Sequence, residues 1–188
     1  MYPMDKIIEA DLYRYGGLTG TKGLLRGLRI PGFAFLFFLR NCSRFKKYSL
    51  LWILNNIMWK RYFYKYGIQI PRSTQIGKGF FIGHFGNIVI NEKAVIGDNC
   101  NIAHGVTIGE TNRGKLKGSP TIGNRVWIGT GSVIVGNIRI GDNVLIAPLT
   151  YVNFDIPDNS VAMGNPGTIL PHTGAVNGYI TSIFSPNQ

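Results

Sequence analysis

The 188-residue sequence is poor in acid, cysteine and histidine: nine Asp and Glu stand against 20 Lys and Arg, a formal net charge of +11. Charged residues make up 15% and hydrophobic residues 45%, which excludes wholesale disorder and leaves ample material for a core. Two cysteines, Cys42 and Cys100, are too few for a disulfide framework and point to a reducing, cytoplasmic setting. Long hydrophobic runs are missing as well. The longest uncharged stretches of the first third, residues 30–39 and 48–59, fall short of the roughly 20 needed to span a bilayer. The opening MYPMDKIIEADLYRY has early acids and no apolar stretch before a cleavage site, so it does not read as a signal peptide. Gly is abundant, 25 residues, but lacks the G-X-Y period of collagen.

The charge is unevenly spread. Residues 1–66 hold 12 Lys and Arg against 3 Asp and Glu, whereas residues 67–188 hold 8 against 6. Aromatics follow the same split, which predicts two structural units, the first facing something anionic. No nucleic-acid-binding motif accompanies the charge, and nucleic acid is not expected as a partner.

From residue 70 an aliphatic side chain returns every six positions. Ile70, Ile76, Ile82 and Ile88 keep one phase; Ile90, Ile96, Ile102 and Ile108 keep a second after a two-residue insertion. Ile122, Ile128, Ile134, Ile140, Ile146 and Val152 form a third run, and the following residue is usually Gly or Ala. A six-residue period with small residues at the bends predicts short strands stacked coil upon coil, a parallel β-helix with a column of Ile and Val inside. The segment 110–121, ETNRGKLKGSPT, breaks the period and must leave the coil as an excursion loop. Cys100 falls at an inward position, as a packing residue rather than a nucleophile.

Residues 1–66 read as helical, with apolar segments over 5–15, 33–45 and 49–66. Two compatible roles follow for this basic, aromatic region. It is a cap on the open end of the β-helix with a solvated basic face, or a helix lying on an anionic membrane surface. Residues 172–188 have no periodicity and read as a loosely attached tail.

The stretch YGIQIPRSTQIGKGFFIGHFGNIVINEKAVIGDNCNIAHGVTIGE, residues 66–110, resembles the serine acetyltransferase-like hexapeptide acyltransferases. It looks closest to the branch encoded with capsular and colanic acid polysaccharide genes, and DLYRYGG, residues 11–17, looks like that branch too. The resemblance covers about residues 66–171. It implies an all-β left-handed parallel β-helix over 67–171 behind the helical region, a homotrimer, acetyl-CoA as donor, and sites between subunits with no metal.

His84 falls on the family's catalytic histidine. Moving an acetyl group from a thioester to a hydroxyl needs a base that titrates near neutrality, and imidazole meets that need. Three departures stand beside it. Gln69 replaces an Asp that orients the imidazole, Gly83 replaces an Asp that helps hold an amino acid, and Ser119 replaces a second histidine. The charges that grip a zwitterion are thus missing, and the expected acceptor is a sugar hydroxyl of a surface glycan or lipid-linked glycan. His104, Phe85, Asn87, Gln69 and Ser119 are the acceptor-site candidates. His104 rests on spacing: it follows His84 by three hexads plus the insertion, so the two share a face one coil apart. For acetyl-CoA the matching positions are Thr130, Pro148 and Asn153, with Arg113, Lys115, Lys117 and Arg125 as phosphate partners. Asp155 and the Asn165–Pro166 turn serve the final coil's geometry.

The competing function is serine O-acetylation in cysteine biosynthesis. A β-helix without transferase activity, such as a zinc carbonic anhydrase, is disfavoured because His84, His104 and His172 are too few and wrongly spaced for its metal site.

Overall fold

The computed structural model describes residues 6–184. Asp5 of the expected first helix and residues 185–188 of the tail lie outside them. Four helices come first: α1 (Lys6–Tyr13), α2 (Gly20–Gly27), α3 (Pro31–Arg44) and α4 (Leu50–Tyr66). The chain is therefore not plainly all-β. The glycine-rich α2 is a helix that sequence reading passes over, because Gly is an unfavourable helix residue. Pro31 at the first turn starts α3, the Ser49 hydroxyl accepts the Trp52 N–H to start α4, and left-handed Gly67 ends it.

Fifteen short strands follow and stack into three sheets. The first holds β1 (Ile68–Gln69), β4 (Ile88–Ile90), β7 (Thr107–Gly109), β10 (Val133–Val135) and β13 (Tyr151–Val152). The second holds β2 (Gln75–Ile76), β5 (Val95–Ile96), β8 (Thr121–Ile122) and β11 (Arg139–Ile140). The third holds β3 (Phe81–Ile82), β6 (Asn101–Ile102), β9 (Trp127–Ile128), β12 (Leu145–Ile146), β14 (Ser160–Met163) and β15 (Thr168–Pro171). All pairs are parallel except β14 with β15, which folds back and finishes the third sheet. This is the parallel β-helix that the six-residue period predicts.

A plain coil advances three hexads, as from Ile122 to Ile140 and from Ile128 to Ile146. Other coils are longer. Ile82 pairs with Ile102, slightly more than three hexads on, because the two extra residues lie in the turn from β3 into β4, before Ile88 and not after it as the sequence phase suggests. Ile96 pairs with Ile122, well beyond three hexads, because residues 110–121 leave the coil between β7 and β8. The aliphatic columns are buried except at Ile76, which is partly buried, and Cys100 lies among them with its thiol pushed up to about 12 by burial. Glycine after the aliphatic has a concrete cause. A Cβ on Gly77 would overlap the Asp98 carboxylate, and one on Gly141 the Asp158 carboxylate. Those carboxylates reach back one coil to accept the Lys78 and Asp142 backbone N–H groups.

The helices close the first coil. Phe35, Leu36 and Leu39 of α3 and Trp59 of α4 share one apolar core with Ile68, Ile70 and Ile82. The opposite face of α4 is uncovered: Leu50, Leu51, Ile53, Leu54, Ile57 and Tyr64 are exposed. No helix among the described residues is long and apolar enough to cross a membrane.

The C-terminal segment corrects the expectation of a loose tail. Ala175, Val176 and Ile180 bury themselves against Leu145, and the Tyr179 ring packs on Trp127 at 4.8 Å. The Tyr179 carbonyl accepts from Asn101 Nδ2, and the Thr181 carbonyl accepts from Arg14 Nε. The segment runs as a strap up the outer face of the third sheet. Its apolar contacts are too widely spaced to show a period.

Candidate active site

The registers Ile82–Ile102, Ile102–Ile128 and Ile128–Ile146 align the turns that leave the third sheet. The second residue past each of these isoleucines is His84, His104, Thr130 and Pro148 in turn. These four therefore form one column along a corner of the β-helix, spaced by one coil, about 4.8 Å per step. The residues beside them are small in most coils: Gly83 and Gly86, Ala103 and Gly105, Gly129 and Gly131. The corner is thus a strip of small residues flanked by the exposed side chains of Phe85 and Leu149.

His84 and His104 meet edge to face, with ring centroids 5.8 Å apart and planes at 89°. They share a cavity of about 380 Å³ with Gly83, Phe85, Ile30, Pro31 and Gly32. The first turn of α3 supplies one wall. Gly32 is required there, since a Cβ would run into the Ile82 carbonyl. Phe85 leans on Tyr66 at 4.9 Å, which ties the far wall to the end of α4. Among the described residues, the two imidazoles are the only ionisable side chains in the lining.

A set of side chains that sequence reading does not assign to the site holds β3 in place. Tyr15 is partly buried, and its hydroxyl donates to the Ile82 carbonyl and accepts the Ile82 N–H, both at 3.2 Å. Burial pushes this phenol far above its ordinary value, so it keeps its proton. The Asp11 carboxylate accepts the Phe80 N–H at 2.9 Å and pairs with Arg40 at 2.9 Å. Arg14 donates to the Gly79 carbonyl and to Asn101. DLYRY in residues 11–15 is thus a grip on residues 79–82, the strand that delivers His84. The signal is present in the sequence as a motif, but its partners lie far along the chain, beyond the whole helical region.

The other candidates are distributed as follows. Gln69 is exposed on β1 opposite Val89 and does not line the cavity. Asn87 sits in the turn after Phe85 with a left-handed backbone, φ 50°, also outside the lining. Ser119 donates to Asn91 Oδ1 at 3.2 Å, at the corner leaving the first sheet. Arg113, Lys115 and Lys117 are exposed on the excursion loop at that same corner. Arg125 occupies the third corner, and Asn153 follows β13. None of these four cations lines the cavity at His84 and His104. No cluster of three His, Cys, Asp or Glu suited to a metal occurs among the described residues.

The model of the bacterial transferase hexapeptide, six repeats, matches residues 119–153. A serine acetyltransferase of Helicobacter pylori is 44% identical over 99 residues, covering 53% of this chain and 58% of the relative. One of Synechococcus elongatus is 39% identical over 108 residues, covering 57% of this chain and 44% of the relative. The serine acetyltransferase of Neisseria gonorrhoeae, solved in complex with serine, is 31% identical with a TM-score of 0.70. That match covers 87% of this chain and 67% of the other. The chain belongs to the serine acetyltransferase-like hexapeptide-repeat acyltransferases. The serine acetyltransferase of Brucella abortus, solved with coenzyme A, has a TM-score of 0.73 at 26% identity and covers 90% of this chain and 68% of the other. The chain spans about half the length of the curated relatives it matches.

These relatives correct the reading of the branch and of the acceptor. They carry the name serine acetyltransferase, so the capsular and colanic acid branch and its glycan acceptor are set aside. The error lies in treating Gln69, Gly83 and Ser119 as a sufficient test of substrate class. Two of these three do not line the cavity of the protomer, so the loss of charge there does not by itself exclude a zwitterion.

Proposed function

We propose that the protein is an acetyl-CoA-dependent serine O-acetyltransferase whose β-helix coils left-handedly and assembles as a homotrimer. Residues 67–171 are the catalytic unit, and residues 1–66 are a helical cap that also walls the site. The observation that carries this reading is the column His84–His104–Thr130–Pro148, with an imidazole pair at its head inside a cavity. The serine acetyltransferase name shared by the relatives supports it.

Acetyl-CoA supplies an activated acyl group. Its extended arm fits the strip of small residues past Thr130 and Pro148, where backbone groups rather than side chains make the contacts. Asn153 and the basic side chains of the excursion loop, brought by a neighbouring subunit, serve the far end of the donor. His84 takes the proton from the serine hydroxyl as its oxygen attacks the thioester carbonyl, and returns that proton to the departing sulfur. Backbone N–H groups at the turn stabilise the oxyanion between these two events. His104, one coil below, faces the acceptor together with Phe85.

The test is thiol release from acetyl-CoA by the purified full chain, with and without L-serine. Serine-dependent release with kcat/KM of about 10⁴ M⁻¹s⁻¹ or more is expected. Release no faster with L-serine than without it overturns the assignment.

A further inference from the structure

The uncovered face of α4 has a definite composition. Residues 50, 54, 57, 61 and 64 follow one another at steps of four and three, so Leu50, Leu54, Ile57, Arg61 and Tyr64 form a single stripe along the helix. Leu51 and Ile53 flank it in the first turns, and Lys60 and Lys65 flank it in the last. All of these side chains are exposed, with Leu50 at 72%, Ile57 at 57% and Tyr64 at 75%. The opposite side of α4, through Trp59, Tyr62, Phe63 and Tyr66, is already engaged with the core. The helix is thus apolar on both sides but covered on only one. Five large aliphatic residues on one helix face are more than scattered surface exposure explains.

The charge around the stripe selects the occupant. Between Asp11 and Glu92 the chain has no acidic residue, while 13 Lys and Arg fall in that interval. Lys46 and Lys47 precede α4 and are exposed, and Lys60, Arg61 and Lys65 end it. A second copy brings the same basic region and no carboxylate from it to balance these cations. An anionic lipid surface brings both things the face lacks, a continuous apolar layer for the leucines and phosphates for the lysines.

We propose that α4 is a membrane-surface helix. It lies along an anionic bilayer with Leu50, Leu54 and Ile57 inserted below the headgroups and Lys46, Lys47, Lys60, Arg61 and Lys65 at headgroup level. The proposal does not rest on the acceptor or on catalysis.

The experiment is sedimentation of the full chain with vesicles of phosphatidylcholine alone or with one-third phosphatidylglycerol. Binding to the anionic vesicles is expected to be at least tenfold stronger than to the neutral ones, and to be released by roughly 0.5 M NaCl, which screens headgroup charge. Replacing Leu50, Leu54 and Ile57 together by Ser abolishes it. Replacing Lys60, Arg61 and Lys65 by Gln weakens it by roughly fivefold per cation removed. Light scattering on the same variants reads the oligomeric state, which stays that of the parent. No binding to anionic vesicles, equal binding to neutral ones, or a triple Ser variant that still sediments overturns the proposal. So does a variant that changes the oligomeric state, since the face is then a contact between copies.

Discussion

The Tyr15 hydroxyl makes a two-way hydrogen bond with the backbone of Ile82, two residues before His84. This pair ties the residues after α1 to β3, the strand that presents His84, the proposed base. Tyr15→Phe keeps the ring and its 4.6 Å contact with Phe81 but leaves a buried N–H and C=O without that partner. An unsatisfied buried group costs about 1–3 kcal/mol. The variant is expected to unfold several degrees lower, with kcat reduced more than KM for acetyl-CoA is raised, because β3 holds the base rather than the donor. Calorimetry and steady-state kinetics check both; an unchanged kcat removes Tyr15 from the positioning of His84.

His84 heads the column, and among the described residues that line the cavity the other ionisable side chain is His104. His84→Ala is expected to lower turnover by roughly 10²–10⁴-fold, the usual worth of a general base. Acetyl-CoA binding, measured by calorimetry, stays near that of the parent because the strip past Thr130 is untouched. Turnover within threefold of the parent takes His84 out of the chemistry.

His104 stands one coil from His84, and among the described residues these two are the ionisable side chains of the lining. It is expected to act on the acceptor, so His104→Gln raises KM for L-serine by about tenfold while kcat with saturating serine falls less. A variant in which kcat collapses and KM holds assigns His104 to proton movement instead.

The β-helix is legible because its cause is local. Each Ile at a six-residue step meets the same requirement, an inward aliphatic, and Gly77, Gly97, Gly123, Gly129 and Gly141 after it the same overlap with the next coil. The placement of His104 beside His84 is legible from the same arithmetic, once the insertion in the β3–β4 turn is counted. What stays hidden depends on distant pairs. Nothing near Asp11, Arg14 or Tyr15 in sequence announces residues 79–82, and nothing near Tyr179 announces Trp127. The cavity wall at Pro31–Gly32 is hidden for the same reason. The acceptor is misread when three positions are judged by residue type before their places around the coil are known.

The excursion loop supplies the last expectation. Arg113, Lys115 and Lys117 project from the corner between β7 and β8, whereas the His84 column runs along the corner leaving the third sheet. In the homotrimer proposed above, these cations meet the phosphates of acetyl-CoA across a subunit boundary. Replacing all three by Ala is then expected to raise KM for acetyl-CoA by roughly tenfold, since exposed charge contacts contribute about 0.2–1 kcal/mol each. The effect shrinks at about 0.5 M salt, where the Debye length falls to a few ångström, on the order of a contact distance. Mixed trimers decide the geometry. Co-expressed with His84→Ala subunits, the loop variant regains activity at low acetyl-CoA, because some sites combine an intact His84 from one protomer with an intact loop from its neighbour. Activity no greater than the sum of the two separate variants places the loop and the base of each site on one protomer, and an unchanged KM in the triple variant removes the loop from donor binding.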